Sequence, residues 1–349
     1  MGGLSRRPTM KETDFAIHIN SFLTRYLPGQ RNLSTNTITS YRDAFKLFLL
    51  FCETDKKMKA DKIRISDLTP ELLTEYLAWL ERVRHCGVGT RNQRLAAFKS
   101  FFHYVASMQP EHLVNCQRVL DLPMKKVARR AMNYFSPEGL HLLLSQPDTR
   151  TPKGRRDHAL LVLLYDTAAR VQEIVDLRVR DVRVDQPATV TLYGKGRKTR
   201  VVPVTAKTAS IMEGYFQEKE WIGRSGALDF PVFTNSRKCK LSRAGVAHIL
   251  SKHVKRMSIG GSHYVPESVS PHCLRHTKAI HLLRSGVPLI YIRDILGHVS
   301  VTTTEIYAKV DAEEKRKALE NAYEVPAQDI IPNWEKDRGL MSWLSEICG

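Results

Sequence analysis

The sequence predicts a mainly α-helical protein of two domains, with a small β-hairpin or sheet in the second domain. With 349 residues, the chain is longer than one typical domain. Apolar residues recur at helical spacing along most of it, and one segment alternates as a strand pair does. A basic stretch that contains Pro123 interrupts the helical pattern over residues 122–133. We interpret that stretch as an interdomain linker.

Residues 13–121 form the first predicted domain, with four helices between residues 14 and 107. Ser34 or Thr35 is the N-cap expected for the second helix. Thr69 caps the third, with Pro70 at the first helical position. The fourth helix has an apolar face, and three basic residues are predicted to point away from it. Residues 1–12 are polar and basic, and we expect a disordered arm.

The second predicted domain covers residues 134–323. Ser136, Pro137 and Glu138 mark its first helix start. Alternating apolar residues flank Gly194-Lys195-Gly196, which predicts a β-hairpin. Further helices follow, and a charged helix is expected after Tyr307. The tail at 324–349 ends in an amphipathic segment that packs either on its own domain or on a neighbouring protomer.

The charge of the chain points to a polyanionic partner. Lys and Arg number 54 against 36 Asp and Glu, which gives a net charge of +18. Nucleic acid is the first candidate and an anionic membrane surface the second. No apolar run approaches the roughly 18 residues of a membrane span, and the N-terminus lacks the apolar core of a secretory signal. The six cysteines are scattered without a C-x-x-C pair, so we expect reduced thiols in a cytoplasmic protein.

Basic residues in three segments are the candidate DNA contacts. Taken singly, each is typical of a solvated surface, but together they could follow a phosphate backbone. They are Arg91, Arg94 and Lys99 in the fourth helix, Lys125, Lys126, Arg129 and Arg130 in the linker, and Arg197, Lys198 and Arg200 in the hairpin.

A set of basic and aromatic residues in the second domain suits phosphate chemistry. Two arginines, two histidines, a lysine and a tyrosine can bind a phosphate, neutralise a pentacoordinate transition state and move two protons. No cluster of carboxylates accompanies them, so we expect neither metal nor cofactor. Each residue alone has an ordinary structural explanation, and the joint pattern carries the interpretation. The residues are Arg170, Lys195, His272, Arg275, His298 and Tyr307, with Glu173 one turn after Arg170.

These segments resemble the signature of the tyrosine recombinase (phage integrase, Xer) family. The family carries an Arg in T-G-x-R-x-x-E, a hairpin Lys, H-x-x-R, L-G-H and a nucleophilic Tyr. The corresponding segments here are T-A-A-R-V-Q-E, Y-G-K-G-R-K-T-R, H-C-L-R, L-G-H and T-T-T-E-I-Y. The resemblance covers about residues 13–323. It departs from the family pattern at Ala168-Ala169, which matters if the backbone there needs a positive φ.

The resemblance implies a C-shaped clamp, made of a helical core-binding (SAM-like) domain and an α+β catalytic domain. It implies that Tyr307 attacks a phosphodiester, leaving a 3′-phosphotyrosine and a free 5′-hydroxyl. His272 would be the general base, Arg170 and Arg275 would hold the non-bridging oxygens, and His298 would add a hydrogen bond. Lys195 would protonate the leaving oxygen, and Glu173 would orient neighbouring basic groups.

The implied partners are double-stranded DNA with specific core sites and three further copies of the chain, exchanging strands through a Holliday junction. We favour integration, excision or transposition of a mobile element in a bacterial, nucleoid-associated setting. A chromosome-dimer-resolving Xer-type recombinase and a DNA-relaxing enzyme like type IB topoisomerase remain alternatives. A DNA-binding regulator would explain the charge but not the six site residues. A metal-dependent nuclease is disfavoured because the sequence lacks the cluster of carboxylates that would hold the metal. The recombination site and any accessory protein stay open.

Overall fold

The computed structural model describes residues 13–127, 132–194, 198–259 and 264–322. The chain divides into two compact units, Met1–Arg130 and Ala131–Gly349. The predicted arm at 1–12 and the tail at 324–349 lie outside the described residues. The predicted fold class, mainly α with one small sheet, is confirmed. None of the described helices combines the length and apolar character that crossing a bilayer requires.

The first unit is built from helices. Thr69 accepts a hydrogen bond from the N–H of Leu72 (3.2 Å), so the predicted cap is present. The four predicted helices are joined by a fifth, α5, that the sequence analysis missed. Helix α1 continues as a π-helix, Phe22–Gln30. The α-helices are α1 Asp14–Ser21, α2 Thr35–Thr54, α3 Pro70–Arg82, α4 Val88–Met108 and α5 Leu113–Leu120, with short 3-10 turns at Ala60–Lys62, Ile65–Asp67 and Pro110–His112.

Aromatic rings fill the core of this unit. The rings of Phe22 and Phe101 meet edge to face, with centroids 5.3 Å apart. Phe48 and Tyr76 do the same at 5.3 Å. Edge-to-face pairs of this kind add about 0.5–1.5 kcal/mol to the free energy of burial. The π-helix and helices α2, α3 and α4 are therefore held together by large aromatic rings.

The second unit combines helices with a three-stranded antiparallel sheet. Its α-helices are α6 Pro137–Ser145, α7 Pro152–Asp166, α8 Val171–Asp176, α9 Ala206–Glu218, α10 Arg243–Ile259, α11 Pro271–Arg284, α12 Leu289–Leu296 and α13 Glu305–Ala322. Its strands are β1 Val182–Arg183, β2 Thr189–Tyr193 and β3 Thr199–Pro203, and 3-10 turns occur at Val179–Asp181, Ser225–Ala227 and Val301–Thr303.

The predicted hairpin is present as β2 and β3, paired from Thr189 opposite Pro203 to Tyr193 opposite Thr199. The short strand β1 on its other side was not predicted. The charged helix begins earlier than expected, because α13 starts at Glu305 and includes Tyr307. Tyr307 thus lies in the first turn of a helix rather than in the segment before one.

Helix packing brings the chemical segments together. Helix α11 packs against α7, α12 and α13, and α12 also contacts β3. The turn between α7 and α8, the hairpin, the start of α11 and the connection from α12 to α13 therefore meet. Tyr307 belongs to a small apolar cluster that includes Ala168, Ile280, Ile292 and Leu296. The tyrosine is anchored in this core.

Candidate active site

Glu173 is the buried carboxylate that binds two arginines of the site. Its side chain is 3% exposed. Its Oε2 accepts the main-chain N–H of Arg170 (2.8 Å) and Nη2 of Arg200 (2.7 Å). Its Oε1 accepts Nη1 of Arg170 (2.9 Å) and Nη1 of Arg200 (2.9 Å). Burial alone would raise the pKa of Glu173, but the hydrogen bonds from Arg200 and Arg170 hold it below its usual range. One carboxylate therefore orients two guanidinium groups.

Arg275 is held by main-chain oxygens. Only 3% of it is exposed. Nη1 donates to the carbonyl of Ala168 (2.8 Å) and Nη2 to the carbonyl of Leu296 (2.7 Å). Burial and the nearby positive charge of Arg170 lower the pKa of Arg275 to about 10. Fixed by two carbonyls, the guanidinium cannot turn away from the site.

The backbone at Ala168 adopts the left-handed conformation, with φ of 47°. This is the position where the family pattern has glycine, and the methyl group is fully buried. A left-handed conformation costs an ordinary L-residue about 1–2 kcal/mol. The departure from glycine therefore falls at a position whose backbone has a positive φ, the condition under which it matters. The turn keeps its shape because the carbonyl of Ala168 is bonded to Arg275.

Gly297 is a position where the chain requires glycine. It ends α12 with φ of 64°. A Cβ placed there would lie 3.0 Å from Cδ and from Nη1 of Arg200. The carbonyl of Gly297 also accepts a long hydrogen bond from Nη2 of Arg170 (3.4 Å). The glycine of the L-G-H segment thus makes room for the arginine that holds Glu173.

Tyr307 is buried, with 1% of its surface exposed. Burial raises the pKa of its phenol, and the guanidiniums of Arg275 and Arg170 offset part of that increase. Within the described residues, the hydroxyl makes one hydrogen bond, to Nδ1 of His276 (3.0 Å). The rings of His276 and Tyr307 have centroids 5.7 Å apart. The phenol is therefore kept protonated and is already paired with an imidazole.

His276 was missed by the sequence analysis. The H-x-x-R pattern drew attention to His272 and Arg275, whereas His276 directly follows Arg275. A signal was present, because His276 is four residues after His272 and therefore shares its face of α11. Burial, and then the neighbouring His272 and Arg275, lower the pKa of His276 to about 4. The ring is neutral near pH 7.

His298 lies on the other side of the phenol. Its ring is nearly parallel to that of Tyr307, with 5° between the planes and 6.5 Å between the centroids. Its Nδ1 is hydrogen-bonded to the hydroxyl of Thr304 (3.0 Å). Burial and the charges of Arg275, Arg170 and Arg200 lower its pKa to about 4. Thr304 thus fixes the orientation of this ring.

His272 is exposed in the first turn of α11, after Ser270 and Pro271. Its pKa is lowered by partial burial and by Arg275 and Arg170. In the part of the chain that the structure describes, no hydrogen bond or ring contact joins His272 to Tyr307. The predicted base therefore does not touch the phenol.

A cleft of about 760 Å³ opens beside these groups. Arg170, Gly194, Lys198, Arg200 and His298 are among its lining residues. The side chain of Arg170 is 35% exposed, so its guanidinium is accessible while Glu173 holds it. Lys195 and Arg197, both predicted in the hairpin, lie outside the described residues. Among the described residues, no group of three or more His, Cys, Asp or Glu could hold a metal ion.

The structure corrects two of the predicted DNA contacts. Arg200 is not free to follow a phosphate backbone, because Glu173 binds it through both oxygens and its Nε donates to the carbonyl of Ile295 (3.0 Å). Arg91 was predicted to point away from the apolar face of α4, but it is 8% exposed. Its Nη1 donates to the carbonyl of Pro123 (3.3 Å), so a tertiary contact buries it.

The other predicted contacts vary in accessibility. Arg94 donates to the carbonyl of Ser40 (2.9 Å) and Lys99 to that of Leu120 (2.6 Å). Lys125 pairs with Glu81 (2.7 Å). Lys126 is exposed, and Arg129 and Arg130 lie outside the described residues. Three of these candidates, Arg94, Lys99 and Lys125, are therefore engaged in contacts within the first unit.

Comparison with known proteins places this site in a family. Residues 133–314, just over half of the chain, match the sequence model of the Phage integrase family. The chain belongs to the phage integrase family. Residues 19–110 match the phage integrase N-terminal SAM-like domain. This family comprises the tyrosine recombinases, and the protein is accordingly a site-specific DNA recombinase.

Relatives of this integrase-family enzyme are similar over nearly their whole length. A Sinorhizobium fredii protein, provisionally named integrase/recombinase y4rC, is 34% identical over 97% of this chain and 99% of its own. Tyrosine recombinase XerC of Oceanobacillus iheyensis is 30% identical over 86% of this chain and 94% of its own. The family assignment therefore extends to both units.

Solved structures share the fold. The Tn1549 transposon integrase, in complex with transposon right end DNA, has a TM-score of 0.65 at 14% identity and covers 86% of this chain and 99% of its own. The XerH site-specific recombinase, in a post-cleavage complex with its difH substrate, has a TM-score of 0.63 at 21% identity and covers 86% of this chain and 83% of its own.

Proposed function

We propose that this recombinase cuts and rejoins double-stranded DNA at specific core sites, with Tyr307 as the nucleophile and a 3′-phosphotyrosine as the intermediate. The observation that carries the proposal is the position of Tyr307. Its buried hydroxyl is paired with an imidazole, in a site where two guanidiniums are fixed by a carboxylate and by main-chain carbonyls. A phenol so placed can attack a phosphate that the guanidiniums hold.

Each remaining group has a proposed role. Arg170 and Arg275 bind the non-bridging oxygens, since a guanidinium matches two phosphate oxygens at once. His298 and His272 supply further hydrogen bonds at the edges of the site. Lys195 donates a proton to the leaving 5′-oxygen. Because the phosphotyrosine bond conserves the energy of the bond that breaks, rejoining needs no ATP.

The proposed partner is DNA bound by four copies of the chain, with strands exchanged through a Holliday junction. The net charge of +18 supports a polyanionic partner, and the structural neighbours named above were solved with DNA. Lys125, Lys126 and Lys198 remain the candidate backbone contacts that the structure leaves accessible, and the tail at 324–349 is a candidate contact between protomers. We expect the enzyme to act at the bacterial nucleoid.

The proposed biological role is integration, excision or transposition of a mobile element. Chromosome-dimer resolution is the second candidate, since Xer proteins are among the relatives. Mapping covalent protein–DNA junctions across the genome of the source cell would separate the two roles and identify the core site. A supercoiled plasmid that carries two copies of that site should lose the DNA segment between them. Relaxation of any plasmid without deletion would indicate topoisomerase activity instead.

The nucleophile is tested with a nicked suicide substrate that carries the mapped core site. The wild-type enzyme should form a covalent adduct in excess EDTA, because guanidiniums and imidazoles supply the charge stabilisation. Tyr307→Phe should bind the same DNA and form none. An undiminished adduct in Tyr307→Phe would overturn the assignment, and a strict requirement for Mg²⁺ would point to a nuclease-type site.

The role of Lys195 is tested with a 5′-bridging sulfur in the scissile bond. Positioned proton donation typically contributes 10²–10⁴-fold to a rate. Sulfur leaves without a proton, so Lys195→Ala should be rescued on this substrate, while Arg170→Ala and Arg275→Ala should gain much less. Equal rescue of all three variants, or no rescue of Lys195→Ala, would mean that Lys195 only contacts the DNA and does not donate the proton.

A further inference from the structure

Three histidines of the site, His272, His276 and His298, differ in their contacts with the phenol of Tyr307. His298 stacks beside the ring, and its Nδ1 is engaged by Thr304. His272 lies at the exposed start of α11, with its ring centroid 6.4 Å from that of His276. His276 alone of the three bonds to the hydroxyl, through Nδ1 at 3.0 Å. That distance is within the reach that proton transfer between a base and its donor requires.

The direction of this hydrogen bond follows from the surroundings of the two groups. The buried phenol keeps its proton, since burial raises its pKa. The imidazole is neutral, so one ring nitrogen carries a hydrogen and the other accepts. With the phenol as donor, Nδ1 is the accepting nitrogen and Nε2 carries the hydrogen. No partner for Nε2 occurs among the described residues.

We propose that His276 is the proton acceptor for Tyr307 when the phenol attacks the scissile phosphate. The proposal rests on Tyr307 being the nucleophile, as argued above. In the step, the Oη–P bond forms and the 5′-O–P bond breaks. The Oη proton moves to Nδ1 of His276, and a second proton moves from Lys195 to the 5′-oxygen. In the rejoining step the 5′-hydroxyl gives its proton back to Lys195 as the 5′-O–P bond forms again. The Oη–P bond breaks, and the proton on His276 returns to the departing phenolate.

The position of His276 on its helix explains how it does this. It is adjacent to Arg275, whose guanidinium is locked by the carbonyls of Ala168 and Leu296. The same turn of α11 thus presents a fixed cation and a proton acceptor. His272, one turn earlier and exposed, remains available to a phosphate oxygen. The helix divides phosphate binding and proton transfer between residues of one face.

The decisive variants are His276→Asn and His272→Asn. The amide oxygen of Asn can accept the hydrogen bond from Tyr307 but cannot take the proton, so positioning is retained while basicity is lost. On the nicked core-site substrate, His276→Asn should form adduct about 10²–10⁴-fold more slowly. The defect should persist with the 5′-sulfur substrate, which bypasses the acid but not the base. His272→Asn should bind DNA more weakly or form adduct more slowly, but its rate should not acquire the pH dependence that loss of a base produces.

The pH profile and chemical rescue give independent readouts. The charged and titratable groups facing the His276 ring are His272 and Arg275 on α11 and Tyr307 on α13, with His298 beyond the phenol. Because only phenolate can attack without a base, the adduct rate of His276→Asn should rise about tenfold per pH unit between about pH 6.5 and 8.5. The wild-type rate should change little there. Added imidazole should accelerate His276→Ala, which leaves space for it, and not His276→Asn.

Several results would overturn the proposal. An adduct rate within threefold of wild type for His276→Asn, with an unchanged pH profile, would assign the proton elsewhere. If His276→Ala formed adduct faster than the wild-type enzyme without added imidazole, His276 would restrain Tyr307 rather than accept its proton. Circular dichroism and DNA affinity show whether His276→Asn has folded. If it has not, rescue of His276→Ala by imidazole tests the proposal, and absence of rescue in a folded His276→Ala would overturn it. If the wild-type enzyme forms no adduct at all, the proposed function fails first.

Discussion

Two buried carboxylates in the second unit bind basic side chains in similar ways but serve different purposes. Asp157 in α7 is fully buried and accepts hydrogen bonds from Arg156 (2.6 Å), Lys252 (2.9 Å) and His253 (3.0 Å). Glu173 in α8 accepts them from Arg170 and Arg200. Lys252 and His253 belong to α10, so Asp157 ties α7 to α10. Glu173 instead holds Arg170 at the cleft.

The difference between the two clusters lies in what their cations can still reach. Arg156 also donates to the carbonyl of Thr234 (3.0 Å), and its side chain is 13% exposed. Arg170 is 35% exposed and lines the cleft. A buried carboxylate with basic partners is therefore no sign of function by itself. What matters is whether a bound cation keeps donors for a ligand.

Asp157→Asn should have the largest effect, on stability. The change leaves Lys252 and Arg156 without their buried countercharge, and breaking a buried pair in this way costs about 3–5 kcal/mol. Urea denaturation would measure the loss. The adduct rate of the folded fraction should stay within threefold of wild type. A selective loss of activity with normal stability would remove the distinction between the two clusters.

Glu173→Gln should have its main effect on the reaction. The amide cannot hold two guanidiniums, so Arg170 loses its orientation, and a misplaced electrostatic contact costs about 10²–10³-fold in rate. Single-turnover adduct formation on the nicked substrate measures this, with Asp157→Asn as the matched control. Unchanged kinetics would show that the carbonyls around the site orient the cations without Glu173.

Acid should weaken both clusters. The pKa of Asp157 is held well below its usual range, because donors from His253, Lys252 and Arg156 outweigh the effect of burial, and that of Glu173 is also lowered. A carboxylate whose pKa is lower in the folded than in the unfolded protein contributes its full stabilisation above the unfolded-state pKa, which is about 4. That stabilisation is lost as the pH falls from there towards the folded-state pKa. The unfolding free energy of wild type should therefore fall more steeply below about pH 4 than that of Asp157→Asn. Parallel curves would contradict this.

Ala168→Gly should have the smallest effect. Glycine relieves a left-handed strain of about 1–2 kcal/mol but loses about 0.5–1 kcal/mol to chain entropy, together with a buried methyl group. The unfolding free energy should change by less than about 1 kcal/mol, and the adduct rate by less than threefold. Ala168→Val is the opposing control and should lower stability, since a branched side chain disfavours positive φ. A large gain of activity in Ala168→Gly would show that alanine strains the catalytic turn.

Local signals accounted for much of the fold. Thr69 with Pro70, and the alternation around Gly194, predicted a helix start and a hairpin that the structure contains. Strand β1 escaped notice because two residues are too few to show alternation. Helix α5 was missed because its eight residues are fewer than the roughly 11–18 over which helical periodicity is read. Elements that depend on their neighbours leave little trace in sequence.

The residues that belong to the site could be predicted from the sequence, but the contacts between them could not. The spacing of the arginines, His298 and Tyr307 brought them into one interpretation, and the structure places them together. The pairing of Tyr307 with His276 joins residues 31 positions apart, and that of Arg200 with Glu173 joins residues 27 apart. Such contacts arise from the packing of α11 against α13 and of the hairpin against α8. No local pattern encodes them.

The arrangement around Glu173 has a consequence for charge balance. The guanidiniums of Arg170, Arg200 and Arg275 lie around the carboxylate of Glu173, and the imidazoles of His276 and His298 are neutral at pH 7. Among these four charged groups, two positive charges therefore remain unmatched. A phosphodiester in its ground state brings one negative charge, and the pentacoordinate species that forms on attack carries about two. These four groups therefore match the charge of the pentacoordinate species better than that of the ground state, and Lys198, which also lines the cleft, adds a further positive charge. Enzymes gain most from binding at the transition state.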